Sequence, residues 1–196
     1  VRGLFSIPFV GLDKDGIPVI INEKGEATST DINFQERQNT GFLKYEGPTD
    51  PTITGSLGNM FSYKGFRLNL FITYSFGNVI RLNPVFKAYY SDLTAMTREF
   101  KNRWTLPGDE AKTNVPAILS KRMKYAYNAY NYSTERIAKG DFIRLKEISL
   151  AYDFPKAWIN PLKLTDLSLK VQATNLFLIY ADDKLNGQDP EFFNAG

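Results

Sequence analysis

The stretch YKGFRLNLFITYSFGN, Tyr63 to Asn78, decides how the fold is read. From Phe66 to Phe76 it alternates: Phe66, Leu68, Leu70, Ile72, Tyr74 and Phe76 fall on one side of an extended chain. Arg67, Asn69, Thr73 and Ser75 fall on the other, with Phe71 alone breaking the polar set. Successive side chains of a β-strand point to opposite faces, so the stretch reads as a strand with one apolar and one polar face. What the apolar face meets, a protein core or hydrocarbon, is the question the rest of the sequence has to answer.

Working outward, ITGSLGNMFSY, Ile53 to Tyr63, puts Ile53, Leu57, Phe61 and Tyr63 on one face, interrupted by Gly55 and Asn59. Two alternating runs separated by Lys64-Gly65 predict a hairpin with a two-residue turn. Alternation returns at FIRLKEISLAYDF, Phe142 to Phe154, where Ile148, Leu150, Tyr152 and Phe154 share a face. PKAWINPLKLTD breaks it, with Pro155 and Pro161 unable to continue a ladder. The last strand runs from Leu167 to Leu178, with Leu167, Leu169, Val171 and Ala173 alternating with Ser168, Lys170, Gln172 and Thr174.

The remainder is less regular. Residues 1–50 are turn-rich: GLDKDGIPVIINEKGE reads as a hairpin-like unit with turns at Asp15-Gly16 and Lys24-Gly25. Asp13 and Asp15 open like a calcium loop, but the third acidic position and the closing Glu are missing. Residues 77–140 lack period-two order; Leu93, Met96, Phe100 and Trp104 have helical spacing behind Ser91 as an N-cap. A connection of that length is unusual inside a compact soluble domain and points either to a functional loop or to elements that the pattern does not reveal.

The chain of 196 residues is 43% apolar and 23% charged, with net charge +3, and has neither Cys nor His. These totals exclude disulfides, thiol nucleophiles, Cys-ligated metals and a Ser-His-Asp triad within it. No run of about 18 apolar residues is present, so no transmembrane helix is expected, whereas a membrane-spanning strand needs only about 9–11 alternating residues.

The connections alternate short, long, short, which puts brief turns at one end of the strands and extended loops at the other, the habit of outer-membrane barrels. Aromatic residues agree: Tyr63, Phe66, Tyr152, Phe154 and Trp158 flank the short turns, and Tyr74, Phe76, Phe177 and Tyr180 the opposite ends. Aromatic residues also favour strands in general, so the pattern leaves a membrane barrel and a soluble, secreted β-rich binding module both open.

The blocks PTITGSLGNMFSYKGFRLNLFITYSFGN, RWTLPGDE, GDFIRLKEISLAYDFP, VQATNLF and DPE, preceded by GLDKDGIPVI, occur in this order. In that order they resemble the C-terminal part of the SusC/RagA-type TonB-dependent outer-membrane transporters. The resemblance covers nearly the whole chain, and GDFIRLKEISLAY and NLF are its most specific motifs. It implies an all-β fold: an antiparallel transmembrane β-barrel segment of four long strands plus a long external loop with a short helix, within a plugged barrel of about 22 strands. It implies import of large nutrients, oligosaccharide or peptide, driven through TonB and lidded by a SusD-like surface lipoprotein. The expected layout is a loop and short hairpin over 1–50, a hairpin over 51–76, a long extracellular loop over 77–140, a hairpin over 141–178 and an extracellular loop over 179–196. The family's plug, TonB box and final strand are not in this sequence, which reads as a fragment in the bacterial outer membrane.

Candidate functional residues follow. Phe66, Leu68, Leu70, Ile72, Tyr74, Phe76, Ile148, Leu150, Tyr152, Leu167, Leu169 and Val171 are expected to face lipid. Gly140, Asp141, Arg144 and Asn175 belong to the family motifs and are expected to be structural. Tyr125, Tyr127, Tyr130 and Tyr132, beside Lys121, Arg122 and Lys124, are candidates for substrate or lid contact, against packing among neighbouring loops. The carboxylates of Pro107–Glu110 are adjacent in one turn, unlike a glycosidase pair spanning about 5 Å or more. Asp182, Asp183, Asn186, Asp189 and Glu191 read as a solvated polar loop, with calcium as the alternative. No catalysis, cofactor, metal or nucleic acid is expected.

Overall fold

The computed structural model describes residues 2–85, 96–118 and 124–192. Its strands are β1 (Gly3–Ser6), β2 (Phe9–Leu12), β3 (Pro18–Ile21), β4 (Ala27–Thr28), β5 (Lys44–Pro48), β6 (Ile53–Tyr63), β7 (Phe66–Phe76), β8 (Val79–Arg81), β9 (Ile137–Lys139), β10 (Phe142–Asp153) and β11 (Ser168–Ala181). Its α-helices are α1 (Lys124–Asn131) and α2 (Lys156–Ile159). The chain divides into two compact units.

The first unit, Pro51–Gly77 with Gly140–Asp182, is one antiparallel sheet of order β11-β10-β7-β6. The β6–β7 hairpin has the expected limits, and Tyr63 pairs with Phe66 across the two-residue turn. Both turn residues have positive φ, Lys64 at 45° and Gly65 at 85°, the backbone twist that suits a tight hairpin. The Gly65 carbonyl then accepts from the Asp153 N–H at 2.9 Å, tying the turn to the end of β10.

Strict alternation fails in one place that the sequence reading treated as continuous. Leu145 stands opposite Ile72 and Glu147 opposite Phe71, so three residues of β10 match two of β7, and Ile148 comes to face Leu70. The extra residue makes a bulge, which rephases the strand and keeps both leucine and isoleucine on one face. A second irregularity follows across β11, where Ala173 pairs with Ile148 but Phe177 with Leu145. Asn175 sits in it with φ of 51°, a conformation that Asn tolerates better than most residues. β11 also runs to Ala181, past the expected end at Leu178, and begins at Ser168, with the Leu167 carbonyl accepting from Phe154 N–H at 3.0 Å.

The second unit, Val1–Asp50, Asn78–Lys139 and Asp183–Gly196, is built of small sheets, β1-β5, β2-β3-β4 and β8-β9, around α1. It has an ordinary apolar interior. Ile7, Ile20 and Ala129 form one buried cluster and Val85, Val115 and Tyr130 another, with Phe9 packed against both. Residues 77–140 are therefore not without regular structure. Among the described residues of this interval the α-helix is α1, in the tyrosine-rich stretch. Ser91 and Leu93 fall outside the described residues, and the described part of residues 91–104 forms a 3-10 turn, Arg98–Asn102. Helical spacing alone did not separate the two: α1 buries Ala126, Ala129 and Tyr130 on one side, and that packing selects it.

Candidate functional site

In the central strand β10 burial is inverted. Register places Phe66, Tyr152 and Leu169 in one row, Leu68, Leu150 and Val171 in the next, and Leu70, Ile148 and Ala173 in a third, all on one face. On β10 Leu150 is 47% exposed, while on the opposite face of the same strand Arg144 is 5% and Ser149 6% exposed; the edge strands β6 and β11 are open on both faces. Water-soluble sheets do the reverse, because apolar area removed from water is their main source of stability. Ile72, Tyr74 and Phe76 continue the apolar face, with the Tyr74 ring lying over Gly55 of β6.

Aromatic rings gather at the two ends of this face. At the turn end Phe66 lies 4.4 Å from Tyr152 between ring centroids, Tyr152 5.0 Å from Phe154, and Phe154 6.4 Å from Trp158. At the far end Phe76 lies 6.0 Å from Tyr74 and 6.4 Å from Tyr180. Ten residues separate Phe66 from Phe76, roughly 33 Å along a strand, or about 25 Å of height at the tilt usual in membrane barrels.

The polar face is internally paired. Arg67 Nη2 lies 2.7 Å from Asp153 Oδ1, and Asn69 Nδ2 donates to Glu147 Oε1 at 3.4 Å. Where β7 ends and β10 begins, Asp141 Oδ1 accepts the Gly77 N–H at 2.7 Å. That bond closes the neck of the long excursion between the two strands and explains the acid of the GDF motif. Gly140 beside it is buried, and the Arg144 guanidinium lies 5.9 Å from the Phe142 ring centroid.

In the second unit the four candidate tyrosines separate. Tyr130 is buried, and burial pushes its phenol pKa up. Tyr127 is half-buried and donates its hydroxyl to the Ala117 carbonyl at 3.0 Å; burial raises its pKa too. Tyr125 and Tyr132 are exposed: Tyr125 stacks 6.3 Å from Phe34, and Tyr132 carries the Arg81 guanidinium 4.9 Å from its ring centroid. Only these two have rings open to a partner. Arg122 and Lys121 lie outside the described residues.

The PGDE carboxylates are both engaged, separately. Asp109 Oδ2 accepts from the N–H groups of Leu106 and Thr105 and from the Thr105 hydroxyl at 3.0–3.2 Å. With the Leu106 amide foremost, these donors hold its pKa at about 2. Glu110 Oε2 accepts the Trp104 indole N–H at 2.9 Å and the Gly108 N–H at 2.8 Å, which hold its pKa below the usual carboxylate range. Asp13 likewise accepts from Asp15 and Ile17 N–H at 2.9 Å each, a turn held by its own side chain. In the last loop Asp189 accepts the Glu191 N–H at 2.9 Å. Among the described residues no group of His, Cys, Asp or Glu is placed to hold a metal.

A buried ion pair went unread in the sequence. Arg136 donates to both Glu99 oxygens at 2.7 and 2.8 Å and to the Asn83 carbonyl at 2.6 Å, with Tyr130 beneath its guanidinium. Thirty-seven residues separate the partners and neither belongs to a motif, so nothing local signals the pair.

No family model matches the chain. It is similar to two proteins of Formosa agariphila: TonB-dependent receptor P3, 27% identical over 87% of this chain, and TonB-dependent receptor P39, 29% identical over 85%. The chain spans 16% of the length of each. Its fold matches the RagAB peptide importer in the open-open state over 95% of this chain and 19% of that one, at a TM-score of 0.63 and 20% identity. A structure of the RagAB peptide transporter matches over 96% and 20%, at a TM-score of 0.64 and 22% identity. The sequence matches and the shared antiparallel architecture agree with the motifs: over most of its length the chain is similar to TonB-dependent receptors, and it shares the fold of the RagAB importer structures.

Proposed function

We propose that this chain is a stretch of barrel wall, with its external loops, in an outer-membrane importer of large nutrients, oligosaccharide or peptide. The observation that carries the reading is the two-faced sheet, with apolar side chains sharing one face between two aromatic rows and polar ones the other. Hydrocarbon accepts such an outer face, and the strands satisfy their backbone groups by pairing only with each other. In this reading Phe66, Leu68, Leu70, Ile72, Tyr74 and Phe76 on β7, Ile148, Leu150 and Tyr152 on β10, and Leu167, Leu169 and Val171 at β11 face lipid. Asp141 and Asn175 shape the wall.

The compact unit holding residues 78–139 is the external region. Its open rings, Tyr125 and Tyr132, are the candidate contacts for a SusD-like lipoprotein lid or the substrate. Energy comes from TonB acting on parts of the protein beyond this chain, and no reaction is catalysed here. Two features support this: the relatives are named as receptors, and the PGDE carboxylates are committed to their own turn.

The test uses paired substitutions in the full-length protein. Leu70→Arg, on the apolar face near mid-strand, is expected to cost about 2–4 kcal/mol and to reduce the folded, membrane-inserted fraction. Asn69→Arg, on the polar face next to it, is expected to leave that fraction near wild type. Equal effects, or a soluble monomer obtained from this stretch without detergent, would instead favour a secreted binding module.

A further inference from the structure

One side chain does not fit the outward face. Asn59 lies in the middle of β6, opposite Leu70, in a hairpin register that runs without a shift from Ile53 to Phe76. Its row continues with Ile148 and Ala173, and its neighbours on the same face are Leu57 and Phe61. None of these side chains can hydrogen-bond an amide. Asn59 is exposed and has no hydrogen-bond partner among the described residues. An amide in hydrocarbon without a partner is unfavourable. Nor can this short side chain reach the membrane surface, since the aromatic row at Tyr63 is four residues away, about 13 Å along the strand.

The missing partner has one natural place. β6 ends the sheet order, so its outer edge has no strand beside it among the described residues. A strand pairing there would bring a side chain directly opposite Asn59, with Cβ atoms about 5 Å apart, within reach of a hydrogen bond. The chain spans 16% of the length of its relatives, so a whole receptor has ample polypeptide to supply that strand.

We infer that Asn59 is held by a polar side chain on the β-strand that pairs with the outer edge of β6. It thereby sets the register of that joint within the apolar band. The inference rests on the membrane reading above, and its test separates the two.

Asn59→Leu, Asn59→Thr and Leu70→Arg are made in the full-length receptor, which is purified in detergent. The thermal unfolding midpoint and the assembly mass are then measured. The expected result is a lower midpoint for Asn59→Leu at unchanged mass, because the strand partner is left unpaired, with much of the loss recovered in Asn59→Thr. Failure of Asn59→Leu to reach the membrane while Asn59→Thr does counts the same way. An unchanged or higher midpoint for Asn59→Leu, with Leu70→Arg lowered, overturns the inference and leaves Asn59 facing lipid. A lower midpoint with a smaller assembly mass overturns it in favour of a second copy covering Asn59. Leu70→Arg without effect removes the membrane reading and this inference with it.

Discussion

The two compact units of this chain obey opposite rules. In the unit built around α1, Ile7, Ile20, Val85 and Tyr130 are buried in apolar clusters, as water requires. In the four-stranded sheet, Leu57, Leu150, Leu169 and Val171 are exposed, while Ser75, Arg144 and Ser149 are buried. Apolar burial therefore stabilises the unit around α1 and cannot by itself be the term that stabilises the sheet.

The largest test of that contrast falls in the water-facing unit. Arg136 is buried against Glu99, so Glu99→Ala leaves a guanidinium without its counter-charge, at about 3–5 kcal/mol. Hydrogen exchange on the full-length protein should show faster exchange in α1 and β9, with the sheet unaffected. Adding Arg136→Met should restore much of the protection, because an apolar pair can replace a buried ion pair at little net cost. Loss of protection in β7 and β10 as well would mean that the two units do not hold their stability separately.

A smaller effect is expected within the sheet itself. Asn175 holds φ of 51° at the β11 irregularity. Asn175→Ala should cost about 1–2 kcal/mol, the penalty for a side chain with Cβ in the left-handed region, and Asn175→Gly close to nothing. Thermal midpoints of the two variants check this. Equal losses would show that the Asn side chain, rather than the backbone conformation, holds the bulge.

Much of the sheet was legible in the sequence because a strand with one apolar and one polar face writes a period of two. Ile53–Tyr63, Lys64-Gly65 and Phe66–Phe76 appear in the structure with those limits. The bulge was not legible: FIRLKEISLAYDF holds apolar residues in both phases, and only the pairing with Ile72 and Leu70 shows where the phase changes. Gly55 looked like an interruption of its face, but it is the seat for the Tyr74 ring across the strand. In the other unit the short elements depend on long-range packing, so neither α1 nor the Arg136–Glu99 pair had a local signature. The four tyrosines looked alike in sequence, and tertiary burial alone divided them.

The smallest expected effect is the most informative about the polar face. Arg67 and Asp153 are 51% and 48% exposed and 2.7 Å apart. If this face lines a wet interior, Arg67→Ala should cost about 0–1 kcal/mol, and added salt should shrink the difference further, since exposed ion pairs are weak and screened. The measurement is the thermal midpoint of the full-length protein at low and high salt. A loss of several kcal/mol that salt does not touch would mean that Asp153 is left unpaired away from water. The polar face would then be covered by other protein at its turn end, because only exclusion of water gives one ion pair that much weight.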